Sequence, residues 1–373
     1  MVANYHVSVF DRSTGELLTI LDTVAVYSLR YSRILNDVGK CVLEIPYTAA
    51  NEALFTLDTF IEVYRTDPTN TTVMQKEGTY FARLFDRMEN EANEERFIIG
   101  GVSLEHLLWR RLIDYRDDPL GAGSYSTKAG PGDDVILEYI DEQCGATASA
   151  TRQFPNFTVA ASGSVGQSVG ARKTFKDNLL KVCQELAEQG AVDFYLTRTD
   201  ANNITASCGI VGSDKSKGTN YPDSPFVYLS PLRGNLGQPR LTYDRRKEGN
   251  YLYAQGEGGD ENRTLSEFIA TGTTDSPYNR IEFYLSKSSA EKDDPGQLQT
   301  AAIAKLEEKR AKIEFQFEPT ATDPGNIYRE DWDLGDILTV GWGMIERDVR
   351  VQEIDITVSS EGEVLNITLE EEV

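Results

Sequence analysis

The chain has 373 residues, and its composition is that of a folded protein without a disulfide framework or a membrane span. Hydrophobic residues make up 40% and charged residues 26%, as in globular proteins, and the length allows about two to four domains. The four cysteines are too few and too scattered for a disulfide scaffold or a zinc ribbon. No apolar run approaches the roughly 18–20 residues that cross a bilayer. The amino terminus lacks the features of a secretion signal, so we expect synthesis in a reducing cytoplasm with free thiols.

The chain is strongly acidic. Sixty acidic residues against 37 basic ones give a formal charge of −23. A surface of this sign repels nucleic-acid phosphates and anionic lipid headgroups at long range. We therefore expect no sequence-specific binding of nucleic acid. The charge is compatible with a protein past which DNA moves without adhering.

The first hundred residues alternate apolar and polar side chains in short runs at hairpin spacing, and such runs are typical of strands. Strands are predicted at 5–10, 17–21, 24–31, 41–45, 60–64, 79–87 and 96–99. Many short strands in sequence favour a closed or nearly closed β-barrel. We therefore predict an N-terminal β-barrel over residues 1–102.

Helical patterns follow. One short helix starts near Ser103, a second starts at Asp133, and a third follows a capping box at 174–177 and ends before Gly190. A strand at 192–197 comes directly afterwards, so residues 103–236 are predicted to form an α/β domain.

Strand patterns return in 237–262 and 325–373, and these two segments are predicted to form a second β-barrel. The intervening residues 263–324 are predicted to be a small α/β insertion, with a helix from about 294 to 309. The expected fold class is thus α+β and β-dominated, with two related β-barrel domains and inserted α/β domains.

The two ends of the chain resemble each other. Residues 57–63 are similar to 334–340, and each segment is followed by a second strand, a polar turn and a third strand. Short β segments also resemble one another by chance. Duplication and coincidence therefore both remain open, and duplication would mean one related barrel at each end.

The motifs of known chemistry are missing from the sequence. Only His6 and His106 are present, no Gly-x-Ser-x-Gly elbow or Walker loop occurs, and 331–336 lacks the ligands of a calcium loop. We therefore assign no catalytic, cofactor-binding or metal-binding residue, and we expect no cofactor and no enzyme activity.

One basic cluster interrupts the acidic sequence. It consists of Arg240, Arg245, Arg246 and Lys247. A solvated face is the simplest interpretation of such a cluster, and a contact with an acidic partner is the second.

Several segments taken in order resemble the tail-hub (baseplate-hub, tail-associated) proteins of long-tailed bacteriophages, and more narrowly a siphophage minor tail protein family. The matching segments are 29–31 with 38–46, 102–113, 179–188, 250–258 and 333–340. The resemblance implies a homotrimer in the virion, at the tail tip, assembled in the host cytoplasm. Such a hub closes the tail tube, adapts a six-fold ring to a three-fold tip and forms part of the DNA-ejection channel.

The partners implied by the resemblance are other tail components. They are the distal tail protein ring or tail tube, the tape-measure protein, and the central fibre or receptor-binding proteins. Two alternatives stay open: a tail-associated enzyme that degrades carbohydrate or peptidoglycan, and a host-surface binding module. Zymography would separate the first from a structural hub, and glycan-array binding would separate the second.

Overall fold

The structure is a computed structural model that describes residues 4–22, 26–66, 72–90, 93–115, 126–174, 176–199, 202–220, 226–256, 265–270, 277–286, 295–310, 312–319, 326–360 and 362–371. The predicted helix start at 294 lies outside the described residues.

Most strands belong to one large sheet that takes its members from both ends of the chain. The N-terminal members are β1 (Tyr5–Phe10), β2 (Leu17–Asp22), β3 (Ser28–Ile34), β4 (Lys40–Pro46), β5 (Phe60–Thr66), β6 (Met74–Glu89) and β7 (Glu95–Ser103), with the short helix α1 (Ala49–Leu54) between β4 and β5. In β4 and β7 buried side chains alternate with more exposed ones, because one face of each strand lies on the core.

The middle of the chain forms a layer of helices and small sheets. It contains α2 (His106–Trp109), β8 (Ser126–Pro131), α3 (Gly132–Cys144), β9 (Phe157–Val159), β10 (Ser168–Thr174), α4 (Leu179–Gly190), β11 (Asp193–Arg198), β12 (Ile204–Gly209) and α5 (Lys217–Asn220). Helices α3 and α4 pack together over a core that also takes in Phe60 and Phe81 from the large sheet. The layer thereby packs against β5 and β6 of that sheet.

The remaining elements complete the large sheet and add a small insertion. They are β13 (Tyr228–Leu229), β14 (Leu236–Asp244), β15 (Tyr251–Gln255), β16 (Leu265–Ile269), β17 (Glu282–Ser286), α6 (Pro295–Glu308), β18 (Lys312–Pro319), β19 (Ile337–Trp342), β20 (Ile345–Ser359) and β21 (Gly362–Glu371). Strands β15, β16 and β17 form their own sheet, on which α6 packs. No helix among the described residues has the length and apolarity that crossing a membrane requires.

The fold is β-dominated, as predicted, but no sheet of the described strands closes into a barrel. The order in the large sheet is β14-β18-β21-β20-β3-β4-β7-β6-β5-β1-β2, with β19 and β13 branching from β20. The two predicted barrels are therefore not confirmed. Hairpin spacing predicts which consecutive strands pair, but it does not predict the partner of the outermost strand. Here β3 from the N-terminal part pairs with β20 from the C-terminal part.

The predicted domain limits remain a prediction, and the strand pairing shows which strands belong to the small sheet of the insertion. Strand β15, within the predicted second barrel, belongs to the small sheet with β16 and β17. Strand β18, within the predicted insertion, belongs to the large sheet between β14 and β21. The chain between β14 and β18 therefore supplies the small sheet.

The resemblance between the chain ends appears in the structure as two five-stranded units with the same strand order. The first unit is β3-β4-β7-β6-β5 and the second is β14-β18-β21-β20-β19. Each long strand carries a register shift at the same place, between Ala82 and Leu84 in β6 and between Val351 and Glu353 in β20. We name these the first unit (β3 to β7) and the second unit (β14 and β18 to β21).

The turn before β5 and the turn before β19 are also alike. Asp58 and Gly335 both have a positive φ, 65° and 87°. The Asp58 amide donates to the Ala82 carbonyl at 3.0 Å, and the Gly335 amide donates to the Val351 carbonyl at 2.9 Å. Matching hydrogen bonds at matching register favour duplication over coincidence.

Helix α4 begins later than the capping box predicts. Its N-cap is Asn178, whose side chain accepts a hydrogen bond from the Lys181 amide at 3.4 Å. Thr174 is instead buried, with its hydroxyl 3.1 Å from that of Tyr139. The predicted capping box is therefore wrong, because tertiary packing takes the threonine.

We predict that Gly335→Ala destabilises the protein more than Gly343→Ala. Both glycines have positive φ, so each substitution costs about 1–2 kcal/mol for a left-handed L-residue. A Cβ at Gly335 would also stand 2.8 Å from the Val211 carbonyl oxygen, whereas one at Gly343 has no neighbour within 4 Å. Urea denaturation measures both variants, and equal losses would contradict close packing at this turn.

Candidate assembly interface

The two units meet along one antiparallel strand pair, β20 with β3, over seven residue pairs. On the exposed side of the sheet, the Arg30 guanidinium donates to the Asp355 carboxylate at 3.2 Å from Nε and 2.7 Å from Nη2. On the opposite side, Ile356 faces Tyr31, and both are buried. The junction therefore combines a backbone ladder, an ion pair on one face and an apolar contact on the other.

A buried network of charged groups lies beside this junction. The Tyr328 hydroxyl donates to Glu77 at 2.6 Å and accepts from Arg33 at 2.7 Å. Arg33 also donates to Asp333 at 2.6 Å, and Arg329 contacts both Glu77 at 3.1 Å and Asp333 at 3.0 Å. The network joins β3 and β6 of the first unit to the loop that precedes β19 of the second.

The charges of this network are matched. Burial alone would raise the pKa of the Asp333 carboxyl, but Arg33 and Arg329 outweigh this effect and hold that pKa below its ordinary value. Glu77 has a fully buried side chain and two hydrogen-bonded oxygens. A buried carboxylate is tolerated only when it is paired in this way.

A second buried contact fixes the middle layer to both units. Asp193 is 1% exposed, and its carboxylate accepts from Asn36 at 2.9 Å, from the Val211 amide at 2.9 Å and from Arg350 at 2.5 Å. Asn36 has a φ of 57° in the turn between β3 and β4, and its side-chain oxygen accepts from the Phe194 amide at 2.8 Å. One carboxylate thus holds the first unit, the second unit and β11.

A third buried group joins the layer to β5. Glu62 is 2% exposed and contacts Arg198 at 3.0 Å and Lys76 at 3.1 Å. Burial raises the pKa of the Glu62 carboxyl, but a hydrogen bond from Tyr64 and the two cations together outweigh burial, so the net shift is downward. Glu62 therefore stays ionised near neutral pH.

A cavity of about 500 Å³ lies between the sheet and the middle layer. Its charged lining includes Glu77, Arg198 and Glu105, which accepts from the Leu196 amide at 2.9 Å. Within the described ranges, no group of three or more His, Cys, Asp or Glu side chains is arranged to hold a metal. The polar groups of the cavity serve mainly to hold the layers together.

The residues that the sequence offers as chemical candidates are dispersed. His6 of β1 lies against Tyr64 of β5, with 4.7 Å between the tilted rings' centroids, and His106 accepts from Arg110 Nε at 3.0 Å. In the 331–336 segment, Asp331 accepts from the Ile327 amide at 2.7 Å. The structure therefore does not bring these residues together.

Two members of the basic cluster form local ion pairs, and the other two, Arg240 and Lys247, are exposed and form no ion pair with a described residue. Arg245 pairs with Glu248 at 2.6 Å, and Arg246 pairs with Asp244 at 2.7 Å. The solvated-face interpretation therefore fits two of the arginines, and Arg240 is left without a local explanation.

Sequence reasoning did not identify Asp193, Arg350, Asn36, Glu77 or Tyr328. A weak signal exists for Asp193, because an acidic residue directly before the apolar run 194–196 requires a buried partner. Its partner Arg350 lies 157 residues away. No local pattern connects positions so distant.

Comparison with known proteins gives the family. The family described as siphovirus ReqiPepy6 Gp37-like protein matches residues 6–369, nearly the whole chain. The chain belongs to this family of siphovirus tail proteins. No curated protein matches the chain in sequence.

Solved structures of tail proteins share the fold. The chain is similar to the 43 kDa tail protein of prophage MuSo2 from Shewanella oneidensis, with 10% identity, a TM-score of 0.59, and coverage of 98% of this chain and 97% of that one. A tail protein from Neisseria meningitidis MC58 is 12% identical, with a TM-score of 0.57 and coverage of 99% and 97%. Prophage tail protein gp18 from Listeria monocytogenes EGD-e is 10% identical, with a TM-score of 0.53 and coverage of 99% and 94%. At these identities the likeness establishes the fold alone.

We predict that Asp193→Asn destabilises the protein by about 3–5 kcal/mol, because Arg350 then loses its charged partner at a buried site. The matched control is Asp355→Asn, which breaks a pair whose arginine side chain is 64% exposed and which should cost no more than about 1 kcal/mol. Urea denaturation of both variants checks the difference. Equal losses would show that burial of Asp193 does not matter.

We predict that His106 stays neutral well below pH 6. Burial, and then the charges of Arg110 and Arg83, lower the pKa of His106 to about 4. Because the unfolded chain binds this proton at about pH 6.5, His106 favours folding above pH 6.5 and the contribution is lost as the pH falls towards 4. NMR titration of labelled histidine reports both rings.

Arg110→Met should raise the pKa of His106, whereas Arg246→Met should leave it unchanged because Arg246 pairs locally with Asp244 in an exposed turn. An ordinary pKa for His106 in the unsubstituted protein would contradict the burial and charge described here.

Proposed function

We propose that this tail protein is a non-catalytic hub at the distal tip of a long phage tail. Three copies close the tail tube, adapt a six-fold tube or distal-tail ring to a three-fold tip, and surround part of the DNA-ejection channel. The observation that carries the proposal is the pair of matched five-stranded units in one chain.

The two units of each chain suit a neighbour with six-fold symmetry. Such a neighbour offers six equivalent contact sites, and three copies of a chain with two alike units present six alike surfaces. A chain with one such unit would need six copies, or would leave half of the sites empty. Duplication of the unit therefore supports a trimer on a hexameric ring.

The charge supports passage of DNA. The chain carries a net charge of −23, and a channel lined by acidic groups would repel phosphates at close range. We propose that the face of the assembled hub turned to the channel is acidic. A neutral or basic channel lining in an assembled tail would contradict this part of the proposal.

The proposed partners are tail components: the distal tail ring or tail tube, the tape-measure protein, and the central fibre or receptor-binding proteins. A structural role without catalysis is supported by the buried carboxylates, since Glu62, Glu77 and Asp193 each hold basic side chains that join layers of the fold. A general acid or base needs a group free to exchange protons with a substrate.

We expect the protein to have three times the 41.6 kDa chain mass, in solution or after release from assembled tails. Mass photometry measures the copy number, and antibody labelling of virions in electron micrographs should mark the tail tip. Peptidoglycan and capsule zymograms should show no lytic band. A protein that is monomeric both free and in tails, or a clear lytic band from the purified protein, would overturn the hub.

A further inference from the structure

The two units differ at one edge. Strand β20 of the second unit pairs with β19 up to Arg350 and then with β3 from Glu353 to Ser359. Strand β6 of the first unit pairs with β5 only up to Phe81. Beyond Phe81 no described strand pairs with this side of β6, so its edge from Leu84 to Glu89 is open. The corresponding edge of β20 is covered by β3.

The second unit has the complementary open edge. Strand β3 is bound by β4 on one side and by β20 on the other. Its counterpart β14 is bound by β18 on one side and by no described strand on the other. Each chain thus has one open edge of the β6 type and one of the β14 type, and the covered β20–β3 pair shows how such edges fit.

The ladder register identifies the equivalent residues. Arg30, Val42, Gly100 and Leu84 form one row across the first unit. The same row of the second unit consists of Arg240, Gln316, Thr368 and Glu353. Arg240 is therefore the counterpart of Arg30. Because Leu84 corresponds to Glu353, Asp86 is the counterpart of Asp355.

The counterparts carry the same charges as the originals. In the covered junction, Arg30 and Asp355 form an ion pair with 2.7 Å between nitrogen and oxygen. At the open edges, Arg240 and Asp86 are both exposed, and neither has an ion-pair partner among the described residues. An arginine and an aspartate, neither with an ion-pair partner in the described ranges, thus stand at the two positions that correspond to the ion pair of the covered junction.

Apolar side chains are also exposed at both edges. Leu84, Phe85 and Met88 of β6 are 57%, 38% and 43% exposed, and Tyr243 of β14 is 57% exposed. In the covered junction, Ile354 lies opposite Arg33, so the same register sets Phe85 opposite Tyr243. Open strand edges with exposed apolar side chains are a template for pairing with another chain.

We propose that the β6 edge from Leu84 to Met88 pairs antiparallel with the β14 edge from Arg240 to Asp244 of the next copy, with Asp86 beside Arg240. Because each copy gives one edge of each kind, the contact is head-to-tail and repeats around a ring. The inference rests on the proposed function, and it adds the strands, the register and the ion pair that join the copies.

The register is tested by cysteine pairs. The proposal sets Asp86 opposite Thr242, where Cα atoms of antiparallel neighbours lie about 4.5–5.5 Å apart, within reach of a disulfide. The protein with D86C and T242C should form disulfide-linked multimers of itself on mild oxidation. The matched control, F85C with T242C, directs the two thiols to opposite faces and should not link.

The native cysteines leave this test clear. Cys41, Cys144 and Cys183 are buried, and burial raises the pKa of the Cys208 thiol to about 12. A thiol with so high a pKa reacts slowly. The oxidation is carried out on both the free protein and assembled tails, and denaturing gels report the links.

The ion pair is tested by charge reversal. Asp86→Arg and Arg240→Asp should each weaken association of the copies by about tenfold, because each sets like charges side by side. The double variant, D86R with R240D, should recover most of this loss. Arg246→Asp makes the same change in net charge within the same cluster and should have no comparable effect.

The outcomes separate this inference from the hub itself. Links in D86C/T242C but not in F85C/T242C, with rescue by the double reversal, support it. A trimer that shows no 86–242 link, or a link from residue 86 to a different tail protein, overturns the edge pairing and leaves the hub standing. A protein that forms no multimer, either free or in tails, overturns both.

Discussion

The pairing of β20 with β3 is the contact on which the other features of this molecule depend. It joins strands that lie more than 300 residues apart in the chain and makes one sheet out of two similar units. A slip of one residue would move every side chain of one strand to the opposite face of the sheet. Arg33 would then leave Tyr328 and Asp333, and Arg350 would leave Asp193. The register and the buried charges therefore specify each other.

Buried ion pairs contribute little net stability, because desolvation offsets most of their attraction. In this protein the buried ion pairs instead fix how the layers are placed against one another. Asp193 accepts hydrogen bonds from three separate parts of the chain. The Tyr328 hydroxyl connects Glu77 to Arg33, and Arg33 also binds Asp333 in the loop before β19. An alternative packing would leave at least one of these groups buried without a partner, and this is far more costly than an imperfect apolar contact. The network thus selects one arrangement of the layers among several that the apolar core alone would allow.

The sequence predicts local structure here much better than long-range pairing. Alternation of apolar residues predicts β1, and the apolar stripe predicts α4, because these patterns depend on neighbours only a few residues away. The apolar segment of β15 also predicts a strand, yet nothing in it indicates that it pairs parallel with β17, about 30 residues further on. Among the contacts between layers, the turn residue Asn36 lies in a segment predicted only as a separator between strands, and its role depends on Asp193 and Phe194. Such roles arise only once the layers have met.

One difference between the units has a consequence for whatever surrounds them. The connection from β3 to β4 is a tight turn at 35–39, whereas its counterpart from β14 to β18 is expanded into the β15–β17 sheet with α6. In a closed ring of such chains, the inner strands would repeat at every unit, while the periphery would alternate between a short loop and a bulky lobe. A neighbour that hydrogen-bonds to the strands would find a binding site at every unit of the ring. A neighbour that binds the lobes would find a site only at every second unit. The length of the β14–β18 connection would then set whether a neighbour binds with the symmetry of the units or with that of the chains.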